Sequence, residues 1–277
     1  MNKIAAIQMA SGSNVSANLI EVEREIRKAS QAGARLIVLP ENFSIMGHED
    51  ADQIDVAEVE GSGPIQSFLS EQAKKYKVWL IAGTIPIKSD NEKKVYAACF
   101  VYNDQGEFVS RYNKIHLFDV YLESHGETYK ESETFEVGEE AVVVETPFGK
   151  IGLAICYDLR FPELFRKLIQ LGSEIIVVPS AFTAATGKAH WEVLLRARAI
   201  ENLCYIIAPN QGGYHVNGRE TYGHSMIVDP WGAILDTLPQ GAGSVVADID
   251  IDNVKKLRRN FPVLSHRRIP CTLPNES

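Results

Sequence analysis

Apolar positions along the chain fall into short unbroken runs separated by stretches with helical spacing. Residues 3–10 form a compact apolar run and predict a strand. Leu19, Val22, Ile26 and Ala29 recur at helical spacing, and Gly33 supplies a C-terminal stop. Residues 36–39 predict a second strand, 65–76 a helix and 78–83 a third strand. Runs 95–103 and 107–112 flank Asp104-Gln105-Gly106, a hairpin signal; runs 142–145 and 151–155 flank Pro147-Phe148-Gly149, another. A helix over 161–171, a strand over 174–178, a helix over 189–202 and a strand over 204–208 follow. Runs at 224–228, 233–236 and 244–249 predict closing strands, before a last helix from about Ile251.

Several runs do not alternate. Leu36-Ile37-Val38-Leu39 and Ile175-Ile176-Val177-Val178 are apolar at every position, the signature of strands buried on both faces. The fold class is therefore α/β. Four main helices are too few to cover both faces of about a dozen strands, so two layered sheets fit better than one doubly wound sheet.

Three runs end alike, at Leu39-Pro40-Glu41, Val178-Pro179-Ser180 and Ala208-Pro209-Asn210. Proline cannot donate to the ladder, and a polar residue follows it at once. The run 151–155 leads directly into Cys156. Carboxyl ends of parallel strands share one edge, so parallel pairing would bring Glu41, Cys156, Ser180 and Asn210 together.

Composition narrows the function without choosing it. The 277 residues are 45% hydrophobic and 23% charged, ordinary for a globular chain. A net charge of −8 recommends neither nucleic acid nor an anionic membrane as partner. No apolar run approaches the roughly 18–20 residues that span a bilayer, and the N-terminal apolar stretch is too short for a signal peptide. Four cysteines, three of them in strand-like runs, argue against a disulfide framework and for a reducing cytoplasm. No linker divides the chain, which predicts one domain over 1–264 and a short C-terminal arm over 265–277.

Three residue types then carry candidate chemistry. Cys156 sits between a strand and the helix that opens near Pro162, where helix N-terminal amides favour a thiolate. A buried core thiol is the alternative; it suits Cys99 and Cys204, whereas Asp158 and Arg160 beside Cys156 argue against it. Cys271 reads as an inert exposed thiol. Glu41 stands at the rim of the core, a suitable place for a general base or for a plain loop charge. Lys114 lies in Tyr112-Asn113-Lys114-Ile115-His116, where alternation puts Lys114 and His116 on one face. It reads as an oxyanion-holding cation or as a surface lysine with its stem on apolar neighbours. Glu131, in the acidic stretch 127–140, reads by itself as a surface charge.

Phosphate-loop, dinucleotide and zinc signatures are missing, and histidines 48, 116, 125, 190, 215, 224 and 266 lack metal-ligand spacing, so neither cofactor nor metal is expected. A Cys/His pair with His190 or His224 as base stays open.

Leu39-Pro40-Glu41-Asn42-Phe43, then 112–119, then Gly152-Leu153-Ala154-Ile155-Cys156-Tyr157-Asp158 resemble, in order, motifs of the nitrilase (carbon–nitrogen hydrolase) superfamily. The resemblance runs from Ile4 to about Arg268. It implies an α-β-β-α sandwich of two mixed sheets with helices outside, and a catalytic triad falling on Glu41, Lys114 and Cys156. It also implies a second glutamate at Glu131, with Glu127 a nearby rival. Within the superfamily, Pro179-Ser180-Ala181-Phe182, the stretch 189–201 and Tyr222-Gly223-His224-Ser225-Met226 are similar to the Nit branch of amidases. That branch implies a thioester acyl-enzyme, a small carboxylated substrate such as deaminated glutathione or 2-oxoglutaramate, cleavage of a primary amide with release of ammonia, and a homodimer or larger homo-oligomer. Tyr157 would lend its N–H to the oxyanion, and Arg160 would receive a substrate carboxylate or else pair with Asp158 or Glu163. Phe43, Phe182 and Thr183 would be pocket walls.

Other classes predict other things. An N-acyltransferase would pass the same thioester to an amine, and a nitrile hydrolase would attack a nitrile carbon with the same thiol. A Cys/His peptidase would need His190 or His224 and spare Glu41, and a non-enzymatic interaction protein would have lost part of the triad.

Overall fold

A computed structural model describes residues 2–123 and 126–269. The first half runs β1 (Asn2–Gln8), α1 (Val15–Gln31), β2 (Leu36–Val38), α2 (Asp52–Asp55), α3 (Pro64–Tyr76), β3 (Trp79–Ile81), β4 (Ile85–Lys88), β5 (Val95–Tyr102), β6 (Phe108–Asn113), β7 (Asp119–Leu122) and β8 (Glu127–Lys130). The second runs β9 (Val143–Thr146), β10 (Gly149–Leu153), α4 (Pro162–Gln170), β11 (Ile175–Val177), α5 (Ala184–Asn202), β12 (Tyr205–Ala208), β13 (Gly212–Tyr214), β14 (Glu220–Tyr222), β15 (Ser225–Val228), β16 (Ile234–Leu238), β17 (Gly243–Ile249) and α6 (Ile251–Asn260).

The strands form two large mixed sheets. One has the order β17-β1-β2-β3-β5-β4 with β6 on β5, and the other β16-β15-β12-β11-β10-β9. Side chains of the unbroken apolar runs alternate between two cores. Ile4, Ala6, Leu36 and Val38 face the second sheet, whose Leu153 and Val177 belong to the same core. Ala5, Ile7, Ile37 and Leu39 face Val22, Ile26 and Ala29 of α1 and Ile65, Leu69 and Ala73 of α3. Beyond the second sheet, Phe165 and Leu168 of α4 and Trp191, Leu195 and Ala199 of α5 complete the fourth layer. The expected α-β-β-α sandwich is therefore what the chain forms, and both faces of each inner strand are dry.

Both hairpins read from turn residues are antiparallel pairs, β5–β6 and β9–β10. Several segments differ from the sequence reading, which held no α2, no β4 and no β13–β14 hairpin. Helix α5 starts at Ala184 rather than 189, because Thr183 caps it by accepting the Thr186 N–H. Its Gly187 broke the apolar pattern for a steric reason: a Cβ there would stand 2.3 Å from the Tyr222 ring. The hairpin β7–β8 lies in a polar stretch that gave no strand signal. Of the C-terminal arm, residues 270–277, including Cys271, lie outside the described residues, as does His125. No helix among the described residues is long and apolar enough to cross a membrane.

Candidate active site

The strand-end proximity holds, with one correction. Strands β10, β11 and β12 are parallel and bring Cys156, Ser180 and Asn210 to one edge. Glu41 follows β2, which is parallel to β1 and β3 in the other sheet. It therefore meets Cys156 across the sandwich rather than along one sheet.

Each chemical side chain is fixed by its backbone. The Leu39 N–H still bonds to Ile81 O at 2.9 Å, and Pro40 then ends the ladder. Close approach at this point requires Gly83 (φ +50°), where a Cβ would lie 1.9 Å from Pro40 O. Glu41 emerges buried, with its carbonyl accepting from Gln211 Nε2 at 2.9 Å and its Oε2 accepting the Ala181 N–H at 2.8 Å.

Lys114 is not on a strand, as alternation predicted, because β6 ends at Asn113. Its N–H bonds to Ala97 O and its carbonyl accepts from Gly138, and the side chain turns inward, 2% exposed. Lys114 Nζ donates to Glu41 Oε1 at 2.8 Å and to both oxygens of Glu131 at 2.7 and 2.9 Å. Glu131 is placed by the β7–β8 hairpin and accepts the Phe118 N–H at 2.6 Å. Glu127 instead accepts from Tyr129 Oη at 2.9 Å and does not line the pocket. Burial alone would discharge the lysine, but the Glu131 and Glu41 carboxylates outweigh it and hold the ammonium well above the usual lysine range. Burial pushes the Glu131 carboxyl upward, against the opposing pull of Lys114.

Cys156 occupies a strained elbow. Its N–H continues the β10 edge by bonding to Pro179 O at 2.9 Å, and its φ of 45° is left-handed. Asp158, fully buried, locks the turn. Its carboxylate accepts from Ile155 N, Tyr112 Oη, His116 N and the His116 ring, at 2.7–3.1 Å. The expected helix-terminus stabilisation of a thiolate is not found. A short turn (Cys156–Arg160) intervenes before α4, and burial followed by the Glu41 charge drives the thiol well above its ordinary range. Burial thus favours the neutral thiol over the thiolate, with the Glu41 side chain beside it.

These residues line one half-open pocket of about 540 Å3, its mouth included. Of the predicted residues, Glu41, Lys114, Glu131, Cys156, Tyr157, Arg160, Phe182 and Thr183 all line it. Phe43 does not: it is fully buried between β2 and the α1–α3 layer, so it belongs to the core. Arg160 bonds to His190 Nδ1 at 3.2 Å and lies over the Tyr157 and Phe182 rings, while Asp158 is occupied elsewhere. Neither His190 nor His224 lines the pocket; His224 bonds to Tyr222 O. Asn42, Asp50, Phe118, Tyr129, Phe135, Ala181, Thr186 and Arg219 also line it and were not named as site residues from the sequence. Phe118 shares the alternation face of Lys114 and His116 and could have been read there, as could Asn42 and Ala181 from their motifs. Asp50, Tyr129 and Arg219 stand in polar segments that give no such signal. Among the described residues, no three His, Cys, Asp or Glu side chains are grouped to hold a metal ion.

The carbon-nitrogen hydrolase family matches residues 3–259, nearly the whole chain. The chain belongs to the carbon–nitrogen hydrolase family. Deaminated glutathione amidase of Yersinia enterocolitica is 41% identical over 271 residues, 98% of this chain and 94% of that protein. Deaminated glutathione amidase of a Synechocystis strain is 44% identical over 266 residues, covering 95% of this chain and 97% of that one. Among solved structures, the C. elegans NitFhit protein superposes with a TM-score of 0.89 at 38% identity; 96% of this chain corresponds to 65% of that longer one. As a carbon–nitrogen hydrolase, the protein is a cysteine-dependent enzyme acting on carbon–nitrogen bonds other than peptide bonds.

Proposed function

We propose that this carbon–nitrogen hydrolase is a deaminated glutathione amidase whose nucleophile is Cys156. The observation that carries the reading is a buried lysine, Lys114, shared by Glu41 and Glu131 in the pocket that Cys156 also lines. The relatives of that name, at 41% and 44% identity over nearly full length, supply the substrate.

Deaminated glutathione is a 2-oxoglutaryl group joined by an amide to cysteinylglycine. Cys156 Sγ attacks the amide carbonyl as its proton passes to Glu41. Lys114 Nζ and the Tyr157 N–H hold the oxyanion, each such donor typically worth about 10²–10³ in rate. Glu41 returns the proton to the departing nitrogen, the C–N bond breaks and a 2-oxoglutaryl thioester remains. Glu131 keeps Lys114 in place and faces the leaving amine. Water then attacks the thioester, giving its proton to Glu41, which restores the thiol as 2-oxoglutarate leaves. The leaving group here is the amine of cysteinylglycine. Release of ammonia, expected from the sequence, belongs to the primary amide 2-oxoglutaramate, which forms the same acyl-enzyme. Arg160, with Tyr157 and Phe182 against its planar face, suits the 2-oxo acid's carboxylate.

The setting we assign is cytoplasmic, with a small-molecule substrate, no nucleic-acid or membrane partner, and a homodimer or larger homo-oligomer. The exposed Trp231 and Phe261, packed on each other, support self-association. The test of the function is formation of 2-oxoglutarate from deaminated glutathione and from 2-oxoglutaramate, with Cys156→Ala as control. Higher kcat/KM on the first, lost in the variant, is expected. Preference for 2-oxoglutaramate would reassign the enzyme as an ω-amidase, and activity in the variant would remove the nucleophile.

A further inference from the structure

Two arginines line the pocket, and only Arg160 has a role in the reaction above. Arg219 comes from the strand-joining turn of the β13–β14 hairpin, a different element from any that carries Glu41, Lys114, Glu131 or Cys156. Its terminal nitrogen donates to Ala181 O at 2.6 Å, and its guanidinium lies 5.2 Å from the Tyr129 ring centre. Its Nε is buried and has no hydrogen-bond partner among the described residues. Arg111, Arg166, Arg196 and Arg198 each pair with a glutamate, whereas neither pocket arginine has a carboxylate partner there. Asp50 lines the same pocket without forming an ion pair with Arg219. A partly buried guanidinium whose direct contacts are a neutral carbonyl and a ring, with one N–H unpaired, is free to take a ligand anion.

The anchors of Arg219 say which end of the substrate it faces. Ala181 gives its N–H to Glu41, the group that protonates the departing nitrogen. Tyr129 stands two residues before Glu131, which faces that same nitrogen. Arg160 is held instead by Tyr157, on the nucleophile's turn, and by Phe182. We propose that Arg219 is a specificity-determining residue that binds the carboxylate of the leaving group, so that the pocket selects dianionic acyl-dipeptides over monoanionic primary amides. This rests on the functional reading above, and deepens it. Deaminated glutathione presents two carboxylates, one on each side of the scissile bond; 2-oxoglutaramate presents one.

The experiment measures kcat and KM for 2-oxoglutarate formation by the full chain and by Arg219→Gln. The substrates are deaminated glutathione, its analogue with the glycine carboxylate converted to an amide, and 2-oxoglutaramate. With the unaltered enzyme, amidation should raise KM about 10- to 100-fold, the effect of losing a charged hydrogen bond, and change kcat little. Arg219→Gln should raise KM for deaminated glutathione by a similar factor, and amidation should then add little further loss. The proposal is overturned if amidation is harmless to the unaltered enzyme, if the two losses multiply, or if Arg219→Gln weakens 2-oxoglutaramate by the same factor. Should Arg219→Gln fail to fold, Arg219→Lys takes its place, keeping the charge without the planar fork. It should raise KM for deaminated glutathione but not for its amidated analogue, and equal KM changes for both would overturn the proposal. No turnover of deaminated glutathione at all would bring down the functional reading together with this one. Turnover that ignores amidation would bring down this one only.

Discussion

Lys114 Nζ lies 2.8 Å from Glu41 Oε1, while the other oxygen of Glu41 accepts the Ala181 N–H at 2.8 Å. The proposed base is thus held at both oxygens, and its direction toward the Cys156 thiol does not depend on substrate. Glu41→Gln keeps the shape and removes the proton acceptor. We expect kcat to fall by about 10²–10⁴, the usual worth of a general base. The fold should survive, since one lysine would still face the Glu131 carboxylate. Melting temperature and kcat together check this, and retained activity would favour a histidine base instead.

The converse change is predicted to be costly. Lys114→Met leaves Glu41 and Glu131 buried with no cation between them. Removing one member of a buried charge group costs about 3–5 kcal/mol. Urea unfolding should show that loss, and adding Glu131→Gln should recover part of it. A Lys114→Met protein as stable as the parent would mean that the carboxylates are solvated or protonated.

Asp158 links the lysine loop to the nucleophile's turn, because one buried carboxylate serves both Ile155 and His116. Asn at this position cannot accept from every donor, and each one left unpaired costs about 1–3 kcal/mol. Asp158→Asn should lower the melting temperature and kcat together, with Asp158→Glu giving no rescue in a site with no room. An unchanged kcat would show that the turn holds without it.

A pH dependence follows from His215, in the turn of the β13–β14 hairpin, which bonds to Ser11 O and Thr221 Oγ1, both at 2.8 Å. Burial, aided by the Arg219 charge, depresses its pKa below the ordinary value of 6.5. The unfolded chain therefore binds the proton more readily than the folded one. Stability from this residue is full above about pH 6.5 and is lost as pH falls through that value toward the depressed one. Chemical unfolding between pH 8 and 5 should reveal the decline, and His215→Gln should flatten it.

How much of this was legible in the sequence depends on how each residue is held. Unbroken runs such as Leu36-Ile37-Val38-Leu39 announced strands covered on both sides, and the layered fold followed. Glu41 and Cys156 were legible because each ends an apolar strand with a polar residue. Lys114 was harder: its burial depends on Glu41 and Glu131, one in a distant element and one in a hairpin without apolar spacing. Phe43 misled because its position beside Glu41 says nothing about which side of β2 its ring enters. Arg219 was invisible, since only the folded hairpin brings it to Ala181 and Tyr129. The burial of the Cys156 thiol was also beyond reach, because the strand-to-helix pattern does not reveal the short turn that separates it from the α4 amides.

The most direct test of the account is to trap the acyl-enzyme. Protein quenched in acid during turnover of deaminated glutathione should carry a 2-oxoglutaryl thioester, mapped by peptide mass analysis to Cys156. Cys156→Ala should carry none and form no 2-oxoglutarate. An adduct on another residue, or steady product formation by Cys156→Ala, would contradict the mechanism.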